Sequence, residues 1–567
     1  MPAPLIDGDR GFVGVDLRTD PSLLGPTIAA EAKNKVFVKG IAETRKGVYT
    51  ATWANQVGVT FPITFPAVFD APTGWRNVYH TIWFRDPNRR NYILIASDKG
   101  VYRVSPSGQI RIRTPEAIDE ACYMVQVFDV VLLFRGTLKQ PWKWDGDPEN
   151  DFEPITEIDN SDAKYSASGT LPIPNATRAI EYQNRLWVPR EDELHVSDIF
   201  DYSRYDPIYS QFYIGEGTAD DIVALSPYGD RSMVIFKGSS IHLLSNLYGD
   251  YATNARLDEI TRERGCASPD TVVNTGEDLW FLSYDGVYTI RQVLENKLTG
   301  SSQPVSEAIQ PYIDRINWSL KERFKATYHD NKYFLSVALD GSSVCDTLLV
   351  YDFLNHKWAG YWTSGFFDIG YLVRYPVSGK TRLFAINATG VSDKEGALMM
   401  LDEGFSDEVL GEEAQISDLL LTRGYTYGEA GHKRFKRAEV QISTWNPTFS
   451  IEAIRDGVNE SDTLVSNETK DRTKYYLANR DDYDTTNTND DHGQPYREDY
   501  SVPLTGNLFL GDNGINFDAH QTATEPYVLR GSGEYLQLRI TNTQGRCSVR
   551  KTTLRAMSIE QQVRRKV

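Results

Sequence analysis

Between residues 78 and 401 the hydrophobic and polar positions repeat one figure: an apolar strand, a tight polar turn, a second strand rich in Leu, Val, Trp and Phe, another turn, and a third strand. The run 92–97 (YILIAS) turns at Asp98-Lys99-Gly100 into 101–104, and 130–135 (VVLLFR) turns through 136–141 into 142–145. Further pairs are 186–188 with 194–197, 233–237 with 241–245, 279–283 with 287–290, 333–339 with 348–352, and 383–387 with 397–401. Third strands begin at Val101, Trp142, Leu194, Ile241, Val287, Leu348 and Ala397, in steps of about 41 to 61 residues, the period of propeller blades or comparable β-arrays. First strands precede the pairs and end in turn chemistry, as where 178–182 runs into Gln183-Asn184 and 324–328 into Asp330-Asn331. Asn, Asp and Gly at such sites accept positive φ or bond to their own backbone.

A meander of this size cannot bury both faces of its own sheet, so successive sheets must stack, and a ring of them shortens the open edges. The pattern predicts an all-β chain with a six- or seven-bladed β-propeller over residues 51–404. Residues 1–50 form an N-terminal arm with little of the blade pattern, able to close the ring by adding a strand to the last blade or to reach a neighbouring subunit. Its Leu17, Pro21, Leu23, Leu24 and Pro26 are candidates for subunit contact. Residues 405–418 read as an acidic linker. Residues 419–567 read as a C-terminal β domain with strands at 419–427, 437–444, 449–456, 535–542 and 549–560, whose period of two predicts a sandwich-like sheet with one wet face. Inside it lies a long polar, acidic loop, 472–503.

Composition narrows the function classes. Aromatic content is 12%, with 32 Tyr and 11 Trp against 6 Met, which suits pleated surfaces. No run of 18 apolar residues exists, so membrane insertion is not expected. The opening MPAPLIDGDRGF shows neither the basic nor the apolar region of a secretory signal, which predicts assembly in a cytoplasm. Cys122, Cys266, Cys345 and Cys547 stand far apart without a metal-ligand spacing, so they read as packed thiols. A formal charge of −18 disfavours general nucleic-acid binding.

Candidate chemistry is sparse. The turns Ser97-Asp98-Lys99-Gly100 and Ser283-Tyr284-Asp285-Gly286 approach a sialidase-type repeat but lack its spacing and terminal Trp. A glycosidase needs two carboxylates facing one cleft, and 78 acidic residues make any pair picked from sequence uninformative. Eight scattered histidines form no HxH or HxxxH pair, and His195 and His242 read as satisfied strand residues. No phosphate loop or dinucleotide fingerprint is present, so no cofactor and no enzymatic activity are expected. In the acidic loop, Asp481, Asp482, Asp484, Asp490 and Asp491 are candidates for partner contact; with Asn487 and Asn489 some could ligate calcium, but EF-hand spacing is missing and a solvated loop is the plainer reading. Basic clusters at 432–437, with Arg434 and Arg437, and at 564–566, with Arg564 and Arg565, are candidate contacts to DNA or an acidic subunit face, although 433–437 reads equally as the start of a strand with long stems lying along it.

The leader, with Ala32-Lys33-Asn34-Lys35-Val36 and the closing Arg45-Lys46-Gly47, looks like the opening of phage tail proteins. The segment 228–241 (YGDRSMVIFKGSSI) and the terminal YLQLRITNTQGRCSVRKTTLRAMSIE are similar to stretches of the tail hub or nozzle proteins of short-tailed phages, also called packaged-DNA stabilisation proteins. The resemblance implies a virion protein: a hexameric ring below the portal and adaptor, through which double-stranded DNA is held and ejected. Its implied partners are further copies of itself, adaptor or head-to-tail connector proteins, an internal plug, and tail fibres or spikes. The acidic loop 472–503 departs from those proteins. Six copies would carry about −108, a mostly repulsive setting for DNA that suits passage rather than grip. Competing readings are a receptor- or glycan-binding propeller presenting Trp358, Tyr361, Trp362, Phe366 and Phe367 in one patch, and a propeller hydrolase.

Overall fold

A computed structural model describes residues 4–50, 77–155, 174–299, 303–388, 398–469 and 523–558, apart from short gaps at 87, 90, 106–107, 119, 148, 206–210, 216–219, 378–379, 403, 405, 410–411, 430 and 458–460. Six small sheets, antiparallel but for one outer pair in the last, stand as blades of a β-propeller. Their innermost strands are Val78–Arg85, Tyr123–Val127, Ile180–Tyr182, Ile222–Pro227, Val273–Asn274 and Ile369–Val377. In the sector between the fifth and the last blade sits a four-strand meander, Lys325–His329, Lys332–Val337, Thr347–Asp352 and Lys357–Thr363, which runs on into a larger sheet through Tyr361 and Lys33. The choice between six and seven units resolves in favour of six: six sheets stand as blades, and the further meander, the sixth in chain order, fills its sector as part of a shared sheet.

The middle strands explain why the chain writes continuous apolar runs. Successive side chains of a strand point to opposite faces. In the first blade, Ile93 and Ile95 pack against Phe384, Ile386 and Met400 of the last blade, while Leu94 and Ala96 pack against Met124, Val131 and Leu133 of the second. The second blade repeats the device, sending Leu132 and Phe134 to Leu186 and Val188 of the third. Met233 and Ile235 then face the third blade while Val234 and Phe236 face Leu279 and Phe281 of the fifth. All of these side chains are buried, and each Val, Leu, Ile, Phe or Met among them contributes about 1.5–3 kcal/mol. Hairpin turns are tied locally: Ser97 Oγ accepts from Lys99 N at 3.2 Å, so the sialidase-like turn is a β-turn brace.

The arm resolves the alternative left open by the sequence. Val48–Thr50 pairs antiparallel with Leu398–Leu401 and becomes the fourth strand of the last blade within the same chain. Glu31–Lys33 lies between the sixth meander and Asp418–Leu421, and Lys35–Val38 with Ile41–Thr44 forms a hairpin that joins the C-terminal sheet. Gly360 lets the arm come this close: its φ is +91°, and a Cβ there would sit 2.1 Å from the Ala32 carbonyl oxygen.

The stretch 405–418 is more than a linker. It holds the strands Asp407–Val409 and Glu412–Ala414, and the first of these runs parallel to Val48–Thr50. Its acids Asp407 and Asp418 are buried because each neutralises an arm cation. Arg45 grips Asp407 through both Nη atoms at 2.8 and 2.7 Å, and its Nε donates to Asn34 Oδ1 at 3.0 Å. Lys35 Nζ lies 2.7 Å from Asp418 with both side chains fully buried, while Thr44 and Asn542 satisfy the other carboxylate oxygen.

The C-terminal region is built on two 23-residue strands, Lys433–Arg455 and Leu536–Ser558, paired from Lys433 with Ser558 to Arg455 with Leu536. Four shorter strands were expected at 437–444, 449–456, 535–542 and 549–560. They are the halves of these two, because register shifts near Trp445 to Phe449 bend the ribbon without ending it. Leu538, Ile540, Val549, Leu554 and Ala556 on one strand and Ala438, Val440, Ile442, Ile451 and Ala453 on the other enter one core shared with the sixth meander.

The fully buried pair sets a prediction. Lys35→Met should strand the Asp418 carboxylate and cost about 3–5 kcal/mol, whereas adding Asp418→Leu should restore most of it. Thermal midpoints of the two single variants and the double variant measure this; a loss in the double variant equal to the sum of the two single losses would show that the pair is not coupled.

Candidate functional site

The innermost strands run around one axis, and near their starts six sectors bring polar side chains together. His80 comes from the first blade and Tyr123 from the second. Arg178 stands just before the third inner strand, and Asp270 lies in the 3₁₀ turn Pro269–Thr271 that leads into the fifth. Lys325 opens the sixth meander and Tyr371 lies on the last blade. Tyr123, Arg178, Asp270, Lys325 and Tyr371, with apolar Ala224, Leu225 and Leu372, line an axial cavity of about 200 Å³.

Asp270 is the electrostatic centre. Arg178 Nη1 reaches its Oδ1 at 3.1 Å, and Lys325 Nζ donates to its Oδ2. Burial alone would raise the Asp270 pKa, yet Lys325 and Arg178 hold it well below the usual carboxylate range. His80 is almost fully buried, its ring 3.8 Å from the Tyr123 ring centroid and 5.1 Å from that of Tyr371. Its Nδ1 accepts from Met124 N at 3.2 Å, which places the imidazole proton on Nε2. Burial, assisted by Arg178 and Lys325, pushes the His80 pKa down to about 3. Arg178 also lies over Tyr123 at 4.9 Å and Lys325 over Tyr371 at 5.2 Å. At neutral pH the cluster therefore holds two cations, one carboxylate, a neutral imidazole and two neutral phenols. Such a set attracts and orients an anion. Hydrolysis of a glycoside by paired carboxylates would need a second acid, and Asp270 is the one carboxylate among the described lining residues.

The residues singled out from sequence lie elsewhere. Leu17 N donates to Ala308 O at 2.8 Å and Pro21 O accepts from Gly424 N at 2.7 Å, so these two arm residues bind the same chain. Leu24 is buried, whereas Leu23 is 76% exposed and Pro26 is exposed. Arg434 and Arg437 are exposed on the strand Lys433–Arg455, as the strand reading of that cluster requires. Arg437 pairs with Glu439 at 3.1 Å, and Arg555, directly across the sheet, reaches the same carboxylate at 3.6 Å. Asp481, Asp482, Asp484, Asp490, Asp491, Arg564 and Arg565 lie outside the described residues. The aromatic patch is absent as a surface: Trp358, Trp362, Phe366 and Phe367 are buried and Tyr361 is half-buried. All four cysteines are buried free thiols. Among the described residues no cluster of three His, Cys, Asp or Glu side chains is placed to hold a metal, and no helix is long and apolar enough to cross a membrane. Sequence reasoning missed the axial cluster because its members are spread from residue 80 to residue 371 and share no motif.

No family model and no curated protein matches the chain. Among solved structures, the extracellular domain of a protein assigned as a hybrid two-component system of B. thetaiotaomicron aligns over 60% of this chain and 40% of that one, at 10% identity and a TM-score of 0.37. The extracellular domain of a protein assigned as a one-component system of the same organism aligns over 79% of this chain and 59% of that one, at 10% identity and a TM-score of 0.38. The chain thus spans less than two thirds of the length of each of these two structures.

The buried neutral His80 gives acid sensitivity of known sign. An unfolded histidine binds a proton below about pH 6.5, whereas folded His80 stays neutral down to about pH 3. Its contribution to stability is therefore complete above pH 6.5 and declines as pH falls, by up to about 1.4 kcal/mol per pH unit. His80→Gln should flatten the fall in denaturation midpoint between pH 7 and pH 4.5; an unchanged slope would show that His80 is already protonated or reaches solvent.

Proposed function

We propose that this chain is a structural subunit of the tail of a short-tailed phage, a hub or nozzle component that assembles with further copies of itself into a ring around the DNA path. The observation that carries the proposal is the interlock of arm, propeller and C-terminal sheet. Residues 5–50 contribute strands to the last blade, run beside the sixth meander and join the two long C-terminal strands. Buried ion pairs pin the crossing points at Lys35–Asp418, Arg45–Asp407, and Arg423 with Asp7 and Asp9. A chain whose arm and C-terminal strands are tied into one body suits a load-bearing wall better than a jointed one.

A second physical point favours a multi-copy channel. The propeller axis is occupied by Tyr123, Tyr371, Arg178, Asp270 and Lys325, and its cavity of about 200 Å³ is far too small for a duplex. DNA would pass between copies, along a lumen that their surfaces make together. On this reading the partners are the connector above, fibres or spikes outside, and DNA in transit, and the location is the virion tail. Exposed Leu23 and Pro26 are then free to meet a neighbouring subunit, while Arg434 and Arg437 present charge to DNA or to an acidic neighbour.

Mass photometry of the purified 64.2 kDa chain, alone and with tail components, should show rings centred on six copies. Leu23→Glu should lower the ring fraction and leave the unfolding free energy within about 0.5 kcal/mol of the parent. A strictly monomeric chain that is missing from purified particles would remove the proposal.

A further inference from the structure

We propose that the axial cavity is a binding site for a small ring-bearing carboxylate, held by Arg178 and Lys325 and contacted by the hydroxyls of Tyr123 and Tyr371. Charge balance makes the first argument. Arg178 and Lys325 together carry two positive charges, and Asp270 supplies the one carboxylate that reaches them. Their side chains are 18%, 6% and 12% exposed, so the surplus cation sits in a site where an uncompensated charge is costly. His80 cannot offset it, being neutral. A monoanion entering the cavity brings the cluster to neutrality.

Unused donors make the second argument. A guanidinium carries five N–H donors, and Arg178 spends one of them on Asp270. Lys325 has its Asp270 contact and a 3.2 Å bond to Glu322 O. The ring faces of Tyr123 and Tyr371 are taken up by His80, Arg178 and Lys325, but neither phenol hydroxyl has a hydrogen-bond partner among the described residues. Burial raises the pKa of both phenols, which keeps them protonated and able to donate.

Size and shape select the class of anion. A cavity of about 150 Å³ accepts benzene, so about 200 Å³ has room for one substituted ring. Ala224, Leu225, Val272 and Leu372 give an apolar wall for the ring body. A planar carboxylate matches the guanidinium fork and carries the single charge required, whereas inorganic phosphate near neutral pH carries up to two. The site belongs to each chain by itself, so it stands or falls independently of ring assembly.

Isothermal titration of the full chain with benzoate, glucuronate, inorganic phosphate and glucose tests the proposal. At least one of the two ring carboxylates should bind, more tightly than phosphate, and glucose should not bind. Arg178→Gln should weaken that carboxylate about tenfold or more, and Tyr371→Phe about twofold to tenfold. Tyr123→Phe and Tyr371→Phe remove only an oxygen, so they carry the test should Arg178→Gln fail to fold. Three results would overturn the site: no carboxylate binding at roughly 20 mM, phosphate binding more tightly than both carboxylates, or carboxylate affinity indifferent to every folded variant.

Discussion

Burial of both faces of every middle strand is the constraint on which this structure depends. Ile93 and Leu94 are neighbours in sequence, yet one faces the last blade and the other the second, so neither face of their sheet is covered until two different parts of the chain arrive. Repeated around the axis, that requirement leaves closure as the solution in which no blade keeps an apolar face in water. The fourth strand of the last blade, Val48–Thr50, then couples the ring to the arm, and through the arm to the C-terminal sheet.

Charge is distributed according to the same geometry. Where the arm crosses other segments, every buried cation has at least one carboxylate to itself, Lys35 with Asp418, Arg45 with Asp407, and Arg423 with both Asp7 and Asp9. At the axis the matching is incomplete, with Arg178 and Lys325 sharing Asp270. Structural pairs and an axial group with surplus charge thus differ in their bookkeeping rather than in residue type, which is why neither could be told from composition.

Much of the propeller was legible in the sequence, because its information is local. Alternation within a strand and turn residues between strands act over fewer than ten positions; the pairs 92–97 with 101–104 and 233–237 with 241–245 follow from them directly. The arm was not legible in this way. Glu31–Lys33 finds its neighbours near residues 361 and 420, and the hairpin next to it finds Ser548 and Val549, pairings that no local pattern encodes. The acids at 407 and 418 read as linker because charge usually marks solvent, and only a distant cation makes their burial tolerable. Trp358 and Trp362 were ambiguous for a related reason: an indole suits a core and a recognition patch equally, and each here donates Nε1–H to a backbone carbonyl, of Val305 and of Lys35. The axial cluster was invisible since a propeller assembles it from equivalent places on different blades, with no fixed spacing along the chain.

The threading of residues 5–50 has a bearing on biogenesis. On the ribosome this segment emerges well before the strands that receive it, at 398–401 and 536–558. Blades can collapse one after another during synthesis, each on its predecessor, while the leading segment waits with unpaired backbone edges. Completion of the molecule is therefore a late, long-range event, and a nascent chain halted before residue 398 would expose a sticky strand that another copy could capture.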